Sequence, residues 1–345
     1  MKLKLSLITA VILSVIGLTV WELNWRSQGY APSIDDNKDL WAVQRHRVPD
    51  LTEDDVILTG SSRVLFDIQL DVWEELTGIR PVQLASVGSS PLPIFHDLVE
   101  NTDFNGTIVV GVTPGLFFST LYPEADPWKW PQTKVDHFYD QTYAEKLNHL
   151  ISLPLQKNLV FISAEEESAD DNKDLRTLLD NIKIGERLPP GYPPFYEFGE
   201  IAVDRNMRMT DRTVQDTAFA NTVIKTWLFI MQSEGPPPDV EGTMGFFLRD
   251  AKKFKERGGN LILVRCPSSD GVLQGETQFL PRAKMFDVLV DSAQVRGYHF
   301  EDYEQLTGYK CPEWSHLSGP DADTFTRDLV NIMLDENAIP NLKND

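Results

Sequence analysis

The sequence predicts an α/β fold built on a mainly parallel sheet, and three observations predict it. Short apolar runs rich in β-branched residues recur at 56–59, 81–85, 107–112 and 260–265, with a last one at 298–303. Between and after them lie segments whose apolar residues fall at helical spacing, at 64–76, 92–99, 222–232, 244–257, 282–295 and 321–334. Several of the apolar runs stop at a Gly- or Ser-rich turn, as strands do when they feed a crossover helix.

The amino terminus stands apart from this rhythm. Met1-Lys2-Leu3-Lys4 precedes an uncharged apolar stretch, 5–21, of roughly 17 residues, the lower limit for crossing a bilayer. Lysines precede it and Glu22 follows it, so the positive-inside rule puts the terminus in the cytoplasm and the body outside. The expected division is a cytoplasmic tail at 1–4 and a transmembrane signal anchor at 5–22. A removed signal peptide is the rival reading. No small-x-small cleavage site follows the apolar run, and Trp21 and Trp25 suit an interfacial anchor. The expected location is a single-pass protein of the inner or plasma membrane, with its body periplasmic or extracellular.

Residues 23–53, with Gly29, Pro32, Pro49 and the polar run Asp35-Asp36-Asn37-Lys38-Asp39, read as a stalk, a plain tether carrying an apolar patch at 40–43. The first half of the core, 54–121, starts with the strand at 56–59 and the turn Gly60-Ser61-Ser62-Arg63. Gly78 can end the helix that follows. The second strand runs into Ser86-Val87-Gly88-Ser89-Ser90-Pro91, and Thr113-Pro114-Gly115 closes the third.

From 122 to 213 no strand–helix–strand period is visible. The stretch holds Pro127-Trp128-Lys129-Trp130-Pro131, an acidic run at 165–174 and a Pro- and Gly-rich segment at 187–198; only 143–150 and 175–182 look helical. It is expected to be an insertion serving as a lid, a substrate platform or a partner surface, or else an irregular solvated excursion. The second half of the core spans 214–345.

Charge and composition exclude some functions. A formal net charge of -20 and a pI near 4.7 would repel a phosphate backbone, so no nucleic acid is expected as a partner. Neither metal-ligand spacing nor a calcium-loop pattern is found, and neither a metal nor a cofactor is expected. The chain has two cysteines, Cys266 and Cys311. In an oxidising compartment an isolated pair suggests a disulfide, which here would pin the segment before His316 to the end of the fourth strand; two buried free thiols are the alternative.

A serine hydroxyl at the end of a strand and the start of a helix is well placed for chemistry, but it needs a base, and the base needs an acid to orient it. Of the six histidines, His46 lies in the stalk, His137 and His149 in the insertion, and His96 and His299 on predicted elements. His316 sits in a loop before the last helix, three residues after Glu313. That spacing can set a carboxylate against one imidazole nitrogen while the other faces a serine.

With these pieces together, the chain resembles the SGNH (GDSL-like) hydrolase superfamily. Gly60-Ser61-Ser62 matches the nucleophile block, Gly88 the glycine block and Glu313-Trp314-Ser315-His316 the final acid-x-x-His block, while Gly111-Val112-Thr113-Pro114 falls where the family has Gly-x-Asn-Asp. The variant Gly-Ser-Ser-Arg with an amino-terminal anchor looks most like the membrane-anchored AlgJ/AlgX-like and DltD-like members. The resemblance implies a three-layer αβα sandwich with a flavodoxin-like five-stranded sheet. It implies Ser62 as nucleophile, with Ser61 as a backup, His316 as base and Glu313 as its orienting acid. The oxyanion would be held by the backbone N–H groups of Ser62 and Gly88, with Thr113 standing in for the missing asparagine. Arg63 is a candidate for binding an acidic sugar or acyl donor, and Trp128 and Trp130 for stacking on sugar rings. The implied activity is an extracytoplasmic O-acyltransferase or acylesterase acting on a glycan or cell-envelope ester, alongside a membrane-bound O-acyltransferase partner. The alternative is a non-catalytic protein of the same fold that binds a glycan or that partner.

Overall fold

The computed structural model describes residues 2–27, 31–162, 193, 195–232 and 237–343. Three strands come first, β1 (Val56–Thr59), β2 (Val82–Gln83) and β3 (Thr107–Gly111). A hairpin follows, β4 (Gly199–Ile201) paired antiparallel with β5 (Met207–Met209). Then come β6 (Asn260–Arg265) and β7 (Arg296–His299). Five of these form one sheet in the order β2-β1-β3-β6-β7, and every neighbouring pair is parallel. The α/β expectation and the parallel sheet are thus both found.

The strands are apolar on both sides because both faces of the sheet are covered. Val56, Leu58, Val109, Ile262 and Val264 belong to one buried cluster, while Ile57, Ile108, Val110, Leu261 and Leu263 belong to another. This is the period-two alternation of a strand sorting its side chains to opposite faces.

The helices supply the rest of each cluster. In chain order they are α1 (Lys2–Ser27), α2 (Lys38–Arg45), α3 (Ser62–Asp67), α4 (Leu70–Thr77), α5 (Leu92–Glu100) and α6 (Pro114–Phe117). Next are α7 (Asp126–Asp140), α8 (Tyr143–Gln156), α9 (Asp211–Gln215), α10 (Thr217–Gln232) and α11 (Val240–Glu256). Last are α12 (Asp270–Phe279), α13 (Phe286–Ala293) and α14 (Gly319–Asp335). Phe66, Trp73, Phe325 and Leu329 from α3, α4 and α14 fill the first cluster; Phe95, Phe247, Phe254 and Leu289 from α5, α11 and α13 fill the second. Each such side chain contributes roughly 1.5–3 kcal/mol on burial.

Close approach of α3 to the sheet explains two glycines. A Cβ on Gly60 would lie 2.5 Å from Val64 Cγ2, and one on Gly111 only 2.1 Å from it. Helix α3 can therefore sit directly on the ends of β1 and β3 only because neither position carries a side chain.

Several expectations change. The helix anticipated over 64–76 is two helices, broken at Ile68 and Gln69. Buried Gln69 holds the break: its backbone N–H donates to Thr326 Oγ1 at 2.8 Å, and its amide donates to the carbonyls of Phe66 and Met207. α12 was not anticipated, because 270–279 is largely polar and buries none of its residues.

The stalk is not a plain tether. α1 runs through Ser27, and α2 is packed into the body, with Trp41 and Leu40 fully buried. Arg45 Nε meets Asp97 at 2.7 Å inside the protein, and Asp36 is clamped by Arg205 at 2.6 Å. The helix reaches further than the 5–22 expected, is long and apolar enough to cross a membrane, and none of its apolar window is buried.

The insertion is more regular than its sequence suggested. Its Pro- and Trp-rich start forms α7, and α8 extends the helix anticipated at 143–150 to Gln156. The acidic run at 165–174, the helix expected at 175–182 and most of 187–198 lie outside the described residues.

His299 closes β7 in an environment that keeps it neutral. Burial, then the nearby Arg282 and Arg265, push its imidazole down to about 3, and its Nδ1 accepts the Glu301 N–H at 3.2 Å. Above the ordinary histidine value neither the folded nor the unfolded state holds the proton, so nothing is gained or lost. Below it the unfolded chain protonates while the folded protein does not, and stability falls until pH reaches the folded value. Between pH 7 and pH 5 this group should cost about 2 kcal/mol. Urea denaturation should show that His299→Gln, whatever its stability at pH 7, loses about that much less than the parent on the same pH change.

Candidate active site

Three segments converge at the carboxyl ends of β1, β2 and β3. Ser61 caps α3, accepting the Arg63 N–H, and Ser62 is the first helical residue. The Ser86 N–H donates to the Gly60 carbonyl at 3.0 Å, which carries the β1–β2 pairing into the turn and brings the Gly88 loop alongside Ser62. Gly88 itself has a φ of 58°, a left-handed conformation that suits glycine.

His316, the expected base, arrives from the far end of the chain. His316 Nε2 lies 2.8 Å from Ser62 Oγ, and His316 Nδ1 lies 3.0 Å from Glu313 Oε1. A proton on Nδ1 facing the carboxylate leaves Nε2 as the acceptor for the Ser62 hydroxyl. Ser62 is half-buried, while His316 and Glu313 are shut away from solvent. The loop between them turns tightly enough for the carboxylate to close it. Trp314 takes a positive φ of 79°, and Glu313 Oε1 accepts the backbone N–H groups of Ser315 at 3.2 Å and His316 at 2.6 Å.

The other carboxylate oxygen, Glu313 Oε2, takes the Trp227 indole N–H at 2.5 Å. Trp227 is on α10, far from any of the motif blocks, and no sequence signal marked it. Phe66, Phe198 and Trp227 pack around the His316 ring, with centroids 4.6, 5.5 and 6.1 Å away. Phe66 could have been found from its place one helical turn after Ser62. Phe198 comes from the end of the insertion, which thus forms part of the wall around the base.

The remaining expected residues fall in different places. Trp130 lies against Gly88: a Cβ there would come within 2.6 Å of the indole. Trp128 is buried in the second cluster, edge-on to Phe246, and faces the core rather than a ligand. Arg63 is also buried. Its Nη2 meets Glu276 at 2.9 Å and its Nε donates to Ser315 Oγ at 3.3 Å, so it braces α3 against α12 and the histidine loop. Burial alone would raise the Glu276 carboxyl, but Arg265 and Arg63 beside it hold it below its ordinary value. Ser61 is fully buried and its Oγ lies 2.6 Å from Thr113 Oγ1, so the two hydroxyls bond each other and Ser61 does not face His316. Among the described residues, neither the Ser62 nor the Gly88 backbone N–H donates a hydrogen bond within the protein.

The expected disulfide is not formed. Cys266 and Cys311 are free, buried thiols whose burial pushes them well above the ordinary thiol range. The loop is fastened without them, by the Ser269 N–H to the Trp314 carbonyl at 2.9 Å and the Leu317 N–H to Asp67 Oδ1 at 2.9 Å. One cluster was not visible in sequence: His96 and Glu100 on α5 and Asp250 on α11 each bring a ligand atom within 4.8 Å of one another. Its side chains already have partners, His96 Nδ1 at 2.9 Å from Asp250 Oδ2 and Glu100 against Lys253.

No protein-family model matches this chain, and no curated protein matches it.

Asp67, at the end of α3, is the hidden support of the histidine loop. Burial pushes its carboxyl well above the usual carboxylate range, and its Oδ2 has no partner among the described residues. An asparagine amide keeps a carbonyl acceptor in the same place and carries no charge to be desolvated. Asp67→Asn should therefore keep the Leu317 hydrogen bond and unfold in urea within about 1 kcal/mol of the parent, whereas Asp67→Ala should cost about 1–3 kcal/mol.

Proposed function

We propose that this chain is a membrane-anchored serine acyl-ester enzyme of the SGNH type, working outside the cytoplasm on an acylated glycan or another cell-envelope ester. One observation carries the reading: Ser62, His316 and Glu313 form a continuous hydroxyl–imidazole–carboxylate line with links of 2.8 and 3.0 Å. The sheet order, counting only strands of that sheet, is 2-1-3-4-5, which supports reading the fold as a flavodoxin-like three-layer αβα sandwich.

In this mechanism Ser62 Oγ attacks the acyl carbonyl carbon as its proton passes to His316 Nε2. The resulting imidazolium is stabilised by Glu313, and the oxyanion by the N–H groups of Ser62 and Gly88. Collapse breaks the bond to the leaving alcohol, which takes the proton from His316 and leaves an acyl-Ser62. Water or a sugar hydroxyl, deprotonated in turn by His316, then releases the acyl group. Anchoring in a membrane favours transfer to a glycan, with a membrane-bound O-acyltransferase as the supplier of the acyl group.

A second reading, a non-catalytic accessory protein of the same fold, is favoured by the Ser61–Thr113 hydroxyl pair, which occupies Thr113 where the family has an asparagine donor. Loss of one oxyanion donor costs about 10²–10³ in rate. A fluorophosphonate probe distinguishes the two readings on the full chain in detergent. The enzyme reading expects labelling that maps to Ser62 and is abolished in Ser62→Ala and His316→Ala, together with p-nitrophenyl acetate turnover above both variants. No label, with equal turnover in all three proteins, would leave the accessory role. Trp227→Phe, which removes one donor from the Glu313 carboxylate, should slow labelling by about tenfold.

A further inference from the structure

The most unusual surface outside the triad is on α8. One side of this helix faces the body, with His149 buried and Ser152, Leu153 and Gln156 half-buried. The opposite side is apolar. Tyr143, Leu147, Leu150, Ile151 and Leu155 recur at i, i+4, i+7, i+8 and i+12 and are exposed, from 43% at Leu155 to 92% at Tyr143. A surface helix of a water-soluble body turns its apolar stripe inward; this one turns its stripe outward. Contiguous exposed apolar patches of this kind mark surfaces that meet a membrane or a partner.

A second, independent observation says which. The carboxyl end of α8 is where α1 is fastened to the body. Glu22 accepts the N–H groups of Val160 at 3.1 Å and Phe161 at 3.3 Å, and Arg26 Nη2 donates to the Asn158 carbonyl at 2.9 Å. Trp21 and Trp25, the expected interfacial residues, lie in that same end of α1 and pack edge-on with centroids 5.9 Å apart. The exposed apolar surface of α1 and the exposed apolar face of α8 therefore belong to elements joined at the tryptophan-bearing end of α1, where a spanning helix leaves the hydrocarbon.

We propose that α8 is an interfacial helix, its Tyr143, Leu147, Leu150, Ile151 and Leu155 face sunk among the headgroups and upper acyl chains of the phospholipid bilayer that α1 spans. This rests on the anchoring role of α1. An amphipathic helix of this kind lies in the plane of the interface at a depth of about 5–10 Å. Together with α1 it gives the body a second foothold, so that the face bearing Ser62 is held at one orientation to the membrane.

The test uses the full chain in phosphatidylcholine–phosphatidylglycerol vesicles. Cys266 and Cys311 are buried, so an environment-sensitive NBD label attached through Leu147→Cys, Ile151→Cys, Gly17→Cys or Lys252→Cys reports its own site. The labels at 147 and 151 should emit to the blue and be quenched by nitroxide lipids carrying the spin near the headgroup. The label at 17 should be quenched by a nitroxide deep in the acyl chains, and the label at 252, an exposed position of α11, by neither. If 17 is quenched while 147 and 151 behave like 252, the inference falls and the anchor stands. If 17 is not quenched either, the anchor reading falls and takes the inference with it. Energy transfer between labels at 147 on separate copies, persisting on dilution into excess lipid without nitroxide quenching, would assign the face to a second copy and also overturn the proposal.

Discussion

A carboxylate removed from water must find its hydrogen bonds inside the protein, and the buried Glu313 organises the site by doing so. It has no exposed surface, and its two oxygens collect the N–H groups of Ser315, His316 and the His316 ring on one side and the Trp227 indole on the other. An ionised group left short of these donors would cost several kcal/mol. The requirement fixes the turn at Trp314, the tilt of the imidazole and the position of α10 together. Ser62 then meets Nε2 because the parallel sheet delivers its turn to the same edge.

Behind that surface lies a layer of buried charge. Arg63 and Arg265 share Glu276, and Asp67 holds the backbone of Leu317. Removing any one partner would strand another, which is why such layers specify a single arrangement more than they add stability. Arg63 follows Ser62 directly in sequence, yet its side chain points into this layer. The positively charged neighbour of the serine works as a brace between elements, and the buried Asp67 beneath the loop takes the place that a disulfide was expected to fill.

Much of this was legible in the chain. The apolar runs at β1, β3 and β6 are long enough, and flanked by clear enough turns, to be read as buried parallel strands. The motif residues Ser62, Glu313 and His316 have the right order and spacing, so their meeting could be anticipated. What stayed hidden depends on contacts rather than patterns. Trp227 and Phe198 look like any apolar residues on a helix and in a loop, and only the fold brings them to His316. Trp128 and Trp130 are two residues apart and chemically alike, yet one lies in the core and the other on Gly88. α2 read as stalk because its flanks are polar; those flanking charges are consumed by buried partners such as Arg205 and Asp97, which lie far away in sequence.

The packing of α2 changes how the body can move relative to α1. A body on a loose leash sweeps a hemisphere, and its reach is set by the length of the leash. Here Trp41 and the Asp36–Arg205 and Arg45–Asp97 pairs fold residues 36–45 of the would-be leash into the body, and Glu22 and Arg26 fasten α1 to the segment that follows α8. On the proposed reading, in which α1 spans a membrane and Ser62 attacks an ester, such a mount would hold the serine near one height, and encounter with an ester presented at that height would become a matter of lateral diffusion in two dimensions rather than of tether length.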